Sequence, residues 1–258
     1  MDNRVETYKS HVLLTRQLMK PYSFKKGREG KVVNVLYLPE LNIKQEKIND
    51  LDVEENYFHP FIEDFLDKQV ESKFSNVIDK VRCFLFKRQD IKLTKNDLQI
   101  IRKFFQFSFV RSIEVYQSIL DDSSLLKDVS GMSHNVLFGY IDGSDYIFDK
   151  KQVSFIVNET NNKHGFVCPH NVVYYFYNKN EKRYDLAITI SSKLIVCLNI
   201  DIEDDNNVNI MSIYNDEYVD LLNKFAYITE KKHQCQYIIG NIEDLERLKK
   251  NIPSIKNL

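Results

Sequence analysis

One periodic apolar stripe constrains the fold of this chain more than any other feature of its sequence. Its members recur at steps of three and four residues: Ile62, Leu66, Val70, Phe74, Val77, Val81 and Leu85. Side chains at this spacing lie on one face of a helix, so the stripe predicts a long amphipathic helix that buries that face. Pro60, a favourable residue for a first helical turn, stands just before it.

A second helix is predicted to pack against the first as a hairpin. Thr94 and Asp97 form a capping box in which Asp takes the place of the usual Glu. Apolar residues then recur again at helical spacing: Leu98, Ile101, Phe105, Phe109 and Ile113. The two stripes therefore provide two faces that can cover each other.

Segments typical of β-strands stand on both sides of this helical region. Lys31–Tyr37 is a β-branched run that predicts a strand, which Leu38 and Pro39 end. In the second half, four strand candidates follow in quick succession: Val153–Val157, Val172–Tyr177, Tyr184–Ile190 and Lys193–Asn199. Two further stretches, 136–141 and 146–148, flank Asp142-Gly143 and predict a hairpin, with a continued helix as the alternative for the first.

These elements predict an α+β fold. An N-terminal strand and a long helical hairpin pack with a C-terminal antiparallel or mixed sheet and with terminal helices over Glu217–Glu230 and Glu243–Lys250. The sequence contains no repeat, low-complexity tract or linker. Residues 1–258 are therefore predicted to form a single domain, mainly helical over 1–130 and rich in sheet over 131–258.

Charge and cysteine usage limit the classes of partner. Lys and Arg number 36 against 37 Asp and Glu, so no global field steers the chain towards nucleic acid or an anionic membrane. Met1–Lys20 has no continuous apolar core, and Leu186–Ile200 is broken by polar residues, so neither predicts a signal or a membrane anchor. The four cysteines form no C-x-x-C pair, which is typical of reduced thiols and predicts a cytoplasmic location.

Several motifs resemble those of a mainly bacterial family catalogued as domain of unknown function 4238. His11–Leu18 is similar to the family's opening motif, and Glu55–Tyr57 to its acidic and aromatic stretch before the first long helix. Glu63 and Glu71 match two helix glutamates eight residues apart, and Arg111 matches an arginine near the end of the second long helix.

Later motifs are similar to the same family in altered form. Phe155–Asn161 resembles a strand end in which Glu159 stands where an aspartate is usual, and Thr189–Ser192 resembles a later stretch without its prolines. The resemblance covers nearly the whole chain. It implies an architecture and a set of marked positions rather than a reaction.

The marked polar positions define a candidate catalytic site. If Glu71, Glu159 and His11 converge, they supply acid and base groups or a cation site suited to phosphodiester cleavage. Arg111 of the partner helix is the candidate for holding Glu71 near the core. The alternatives are that Glu71 is a solvated charge and that Glu159 is a loop-capping carboxylate. A divalent cation is the candidate cofactor, and its identity is unknown.

Two other clusters are candidates for binding. His164, Cys168 and His170 form an H-x3-C-x-H cluster without standard zinc spacing, and we favour an interpretation in which Cys168 packs inside. Basic and aromatic residues interleave around the first glycine-rich turn and suit single-stranded nucleic acid, with a solvated turn as the alternative. The residues assigned to nucleic-acid binding are Tyr22, Lys25, Lys26, Arg28 and Lys31.

The leading hypothesis is an intracellular bacterial effector acting on nucleic acid, such as an RNase or nuclease of a toxin or phage-defence system. P-loop, zincin and α/β-hydrolase motifs are absent from the sequence. The rival is a non-enzymatic binding or regulatory subunit that contacts a protein partner or a small ligand. The rival predicts a large exposed apolar patch and no cleft that collects the polar residues.

Overall fold

β3, the strand predicted over Lys31–Tyr37, lies at the centre of the first of two five-stranded sheets. The computed structural model describes residues 9–55, 60–111, 148–160, 164–178, 182–203, 208–232 and 236–255. β3 pairs with β2 (Phe24–Lys25), β4 (Asn42–Lys47) and β12 (Tyr237–Gly240), and β7 (Cys168–Pro169) pairs with β12. All of these pairs are antiparallel, and they join strands from both halves of the chain.

β4 was not predicted, because its sequence is almost entirely polar. It pairs along β3 from Val32 to Tyr37, and none of its six residues is buried. An edge strand of this kind lacks the apolar alternation that marks a half-buried strand. A short ladder of β1 (Lys9–His11) and β5 (Val53–Glu55) stands beside the sheet.

The predicted helical hairpin is confirmed. Its first arm consists of α2 (Pro60–Phe65), a π-helical turn (Leu66–Glu71) and α3 (Ser72–Phe86), and its second arm is α4 (Lys95–Val110). The ring of Phe74 in α3 stacks on Phe104 in α4, with ring centroids 3.7 Å apart. A four-residue helix, α1 (Arg16–Met19), precedes the first sheet.

The capping box predicted at the start of α4 is also confirmed. The Asp97 N–H donates to Thr94 Oγ1 at 3.1 Å, and the Thr94 N–H donates to Asp97 Oδ2 at 3.0 Å. Both donors would otherwise lack a partner within the helix.

The second sheet has the strand order β11-β6-β10-β9-β8. Its four predicted strands are confirmed as β6 (Lys151–Asn158), β8 (Val173–Asn178), β9 (Arg183–Ser191) and β10 (Leu194–Glu203). β11 (Val208–Ile213) was not predicted, and it runs parallel to β6 at one edge, so the sheet is mixed. Residues 136–147 of the predicted hairpin lie outside the described part of the chain.

Two terminal helices complete the described fold, as predicted. They are α5 (Asp216–Lys232) and α6 (Ile242–Ile255). One apolar core joins the helical hairpin to both sheets, and a second lies beneath α5 and α6. None of the helices in the described ranges is long and apolar enough to cross a membrane. The interpretation of the chain as one domain stays a prediction.

Candidate functional site

Arg111 is buried at the end of α4 and joins three parts of the molecule. Its guanidinium donates to the carbonyls of His11 at 2.7 Å and Val12 at 3.1 Å, and to Glu71 Oε1 at 3.1 Å. Its side chain is 5% exposed and that of Glu71 is 15% exposed. The predicted pairing of Arg111 with Glu71 is therefore confirmed, and the alternative of a solvated Glu71 is wrong.

The π-helical turn places Glu71 where Arg111 can reach it. Glu71 is the last residue of that turn, which widens the helix between α2 and α3 and changes the direction of the side chains that follow. Burial raises the pKa of Glu71, while the charge and hydrogen bond of Arg111 oppose part of that rise. The pair therefore has the character of a buried structural contact.

His11 lies beside this pair and contributes its ring to a different contact. Its Nδ1 donates to the Leu51 carbonyl at 3.1 Å. Burial lowers the pKa of His11, and the neighbouring cations Arg16 and Arg111 lower it further, against an opposing effect of Asp52. The ring is therefore neutral at pH 7.

Asp52 organises a second group of buried polar contacts that the sequence analysis missed. Its Oδ2 accepts from the N–H groups of Leu13 at 2.7 Å and Leu14 at 2.6 Å, and its Oδ1 contacts His170 Nε2 at 2.7 Å. Its backbone φ of 58° lies in the left-handed region, which Asp tolerates better than most residues. The sequence signal for this group was an aspartate in the polar stretch before β5. Such an aspartate looks the same as an ordinary turn residue, so it does not predict a buried contact.

His170 is held between Asp52 and an aromatic ring. It stacks on Tyr237 with ring centroids 4.1 Å apart. Its side chain is 9% exposed and the Asp52 side chain is 6% exposed, so this histidine and carboxylate face the interior. The contact joins the turn before β5 to the loop before β8.

Glu159 stands apart from these groups. It is exposed, and its N–H donates to the Ile213 carbonyl at the end of β11. No contact within the described ranges joins it to His11, Glu71 or Arg111. The loop after β6 is instead capped by Asn158, whose Oδ1 accepts from Thr160 and whose Nδ2 donates to the His164 carbonyl.

The H-x3-C-x-H cluster is dispersed. Cys168 is buried in the core, as the favoured interpretation predicted, and burial raises its pKa. His164 lies 4.0 Å from Asp244, and His170 faces Asp52. No group of three metal-ligating side chains occurs among the described residues.

The predicted basic turn is exposed, with one correction. Lys25, Lys26, Arg28 and Lys31 face solvent, and Lys25 lies directly opposite Lys31 in the β2–β3 ladder. Tyr22 does not join them. Its ring is buried, and its hydroxyl donates to the Phe166 carbonyl at 2.9 Å. The ring therefore has no exposed face on which a nucleotide base could stack. Phe24, 38% exposed, is the aromatic side chain beside these cations.

A further candidate surface is apolar and lies around α5. We call it the α5 surface and define it by six exposed side chains: Tyr177, Met211, Tyr214, Tyr218, Leu221 and Ile228. A groove of about 450 Å³ lies between α5 and the edge strands β8 and β11. β8 and β11 are the two edge strands of the second sheet, so the groove is lined from both edges of that sheet.

Sequence comparison supports the resemblance. The family model described as protein of unknown function (DUF4238) matches residues 14–135. Over this segment, which is just under half of the chain, the sequence is similar to the DUF4238 family. The DUF4238 match includes Glu71 and Arg111, whereas the motifs at Phe155–Asn161 and Thr189–Ser192 lie beyond it, and their correspondence stays a prediction. No curated protein and no solved structure matches the chain.

Proposed function

We propose that this chain is a non-enzymatic binding subunit that contacts a protein partner through the α5 surface. One observation carries the proposal: of the ten exposed large apolar side chains among the described residues, six belong to this surface. Single exposed apolar residues are normal on a protein, but a concentration beside a groove is typical of an interaction site.

The placement of the predicted catalytic residues also supports binding over catalysis. Arg111 donates hydrogen bonds to Glu71 and to backbone carbonyls, and the His11 ring contacts the Leu51 carbonyl. A general acid or base needs access to the atom whose proton it transfers. In the described residues Glu159 alone of the predicted catalytic group is exposed, and it lies at the end of the second sheet.

Site-specific photo-crosslinking in the cells that produce the protein tests this proposal. A photoreactive phenylalanine analogue in place of Tyr218 should cross-link to a protein partner. The same analogue in place of Phe86, which is 88% exposed but outside the α5 surface, is the matched control. Cross-links at 218 that disappear with Leu221→Glu are the expected result. Equal cross-linking at 218 and 86, or none at either, overturns the proposal.

A second candidate function, action on nucleic acid, has its own supporting observation. Lys25 and Lys31 are placed directly opposite each other, an arrangement that costs stability unless an anion compensates it. With Lys26, Arg28 and the half-exposed Phe24 beside them, the turn offers phosphate attraction and a stacking ring. An RNase or nuclease in a toxin or phage-defence system is the activity that this candidate proposes.

Binding and cleavage of single-stranded RNA and DNA test the second candidate separately. Lys25→Glu should weaken binding and reduce its salt dependence, while Lys73→Glu, an exposed lysine on α3, should leave both unchanged. Cleavage in the presence of a divalent cation should be lost in Glu159→Gln. No binding by the wild-type chain at low salt removes this candidate, and binding without cleavage removes the nuclease activity alone.

A further inference from the structure

The exposed apolar residues of α5 follow a heptad pattern. Tyr218, Leu221, Phe225 and Ile228 stand at steps of three, four and three. Phe225 is partly buried, and the other three are exposed. This 4-3 spacing is the seam by which one helix packs along another.

The seam is distinct from the face by which α5 packs on its own core. Val219, Leu222 and Ala226 are buried beneath the helix, each one residue after a seam residue. One residue is about 100° of rotation on a helix, so the seam lies on the flank of α5 and remains accessible beside the core. A second helix could therefore lie alongside α5 without disturbing the fold.

The charges beside the seam indicate what that second helix is. Glu217 and Lys224 are seven residues apart, about 10.5 Å or two helical turns, and Leu221 lies about midway between them. Both line the groove beside the seam, and neither has an ion-pair partner among the described residues. If α5 meets a copy of itself in the antiparallel direction, Glu217 of each copy faces Lys224 of the other.

The apolar residues match in the same register. With Leu221 on the two-fold axis, Leu221 meets its own copy, and Tyr218 lies opposite Phe225 of the other chain. These three seam residues therefore find apolar partners, as an isologous interface requires, and Ile228 extends towards the exposed Tyr214 that precedes the other helix.

A parallel arrangement leaves the charges without partners. In a parallel pair, Glu217 and Lys224 would face the positions of Leu222 and Thr229, which are buried in the core of their own chain. Antiparallel pairing alone satisfies both charges.

We infer that the partner of the α5 surface is a second copy of this chain, bound through antiparallel pairing of α5 about a two-fold axis at Leu221. This inference rests on the proposed function and specifies its partner. Met211 on the edge strand β11 and Tyr214 just before α5 extend the contact beyond the helix. They add area that a single helical seam would lack, since stable interfaces bury about 800 Å² on each side.

Sedimentation velocity of the wild-type chain across a dilution series tests the inference. The expected result is a reversible monomer–dimer equilibrium. Leu221→Glu places two carboxylates together on the axis and should weaken dimerisation about thirtyfold or more. Phe86→Glu, at an exposed aromatic position away from α5, should leave the equilibrium unchanged.

Charge reversal tests the direction of pairing. Glu217→Lys turns two attractive contacts into repulsive ones and should weaken the dimer about tenfold. Adding Lys224→Glu to it should restore wild-type dimerisation, which only antiparallel pairing of these two positions predicts. Circular dichroism confirms that each variant keeps its helices, since both changes lie at solvent-accessible positions.

The outcomes separate the inference from the proposed function. A wild-type chain that is monomeric throughout, or a dimer indifferent to Leu221→Glu and to charge reversal, overturns the inference. If such a chain still forms cross-links at position 218 with a different protein, the α5 surface remains a binding site with another partner. If it forms none, both proposals fall.

Discussion

The contact region around Arg111 and the α5 surface distribute their side chains in opposite ways. Around Arg111, charged and polar groups are buried and form hydrogen bonds with other elements of the same chain. On the α5 surface, large apolar side chains are exposed beside a groove. The difference teaches that residue type alone does not predict exposure here, because these polar residues hold elements of the fold together while these large apolar residues are accessible.

Removal of Arg111 should give the largest loss of stability. Arg111→Ala leaves the Glu71 carboxylate and two carbonyls without their buried donor, so we expect the free energy of unfolding to fall by about 3 to 5 kcal/mol. Urea denaturation measures it. Arg82→Ala, which removes an exposed pairing with Asp79, should cost less than about 0.5 kcal/mol. A loss below about 1 kcal/mol for Arg111→Ala would mean that the buried contacts around Arg111 do not hold the fold together, which contradicts the comparison with the α5 surface.

Two adjacent leucines of α5 test whether the α5 surface is separate from the core. Leu222 is 6% exposed and Leu221 is 38% exposed. Leu222→Ala should reduce the free energy of unfolding by about 2 to 4 kcal/mol, because it opens a cavity in the core. Leu221→Ala, measured by the same denaturation under dilute conditions that favour monomer, should cost less than about 1 kcal/mol. Equal losses would mean that the α5 surface is part of the core.

Asp52 tests whether the second buried polar group stabilises the fold in the same way. Asp52→Asn keeps the size of the side chain and tolerates the left-handed backbone, but it weakens the bonds to Leu13, Leu14 and His170. We expect the free energy of unfolding to fall by about 2 kcal/mol. Asp50→Asn, at an exposed position in the same turn, should be nearly neutral.

His11 should give the smallest effect, visible as a dependence on pH. Its pKa is lowered in the folded state, so the unfolded chain binds more protons and the native state loses stability as pH falls below the ordinary value of 6.5. The advantage of the wild-type chain over His11→Gln should therefore shrink as the medium becomes more acidic. Thermal unfolding of both proteins across this pH range measures it, and a constant difference would contradict the assigned burial of the ring.

The regular elements of the fold were predictable from the sequence because their local patterns are strong. Lys31–Tyr37, the capping box at Thr94 and the apolar stripe of α3 each carry their own signal. β4 and β11 lacked one, since β4 is a polar edge strand and β11 has exposed side chains on both faces. Edge strands are defined by their neighbours more than by their own residues.

The candidate sites depended on contacts between distant parts of the chain, and prediction was correspondingly uneven. Arg111 and Glu71 could be paired because they lie on facing helices of one hairpin. Asp52 and His170 are 118 residues apart in the sequence, and no local sequence pattern predicts their contact. The seam on α5 was present in the spacing from Tyr218 to Ile228, but only its exposure distinguishes it from a core stripe.

The position of β12 has a consequence for how the chain is made. Its first pair joins Tyr237 to Tyr37, 200 residues earlier, and the strand lies between β3 and β7. During synthesis the first sheet is therefore completed only after the 200 residues between these two positions have emerged. Until then the nascent chain exposes the hydrogen-bonding edge of β3, so aggregation and proteolysis threaten the chain until residues 237–240 pair with it.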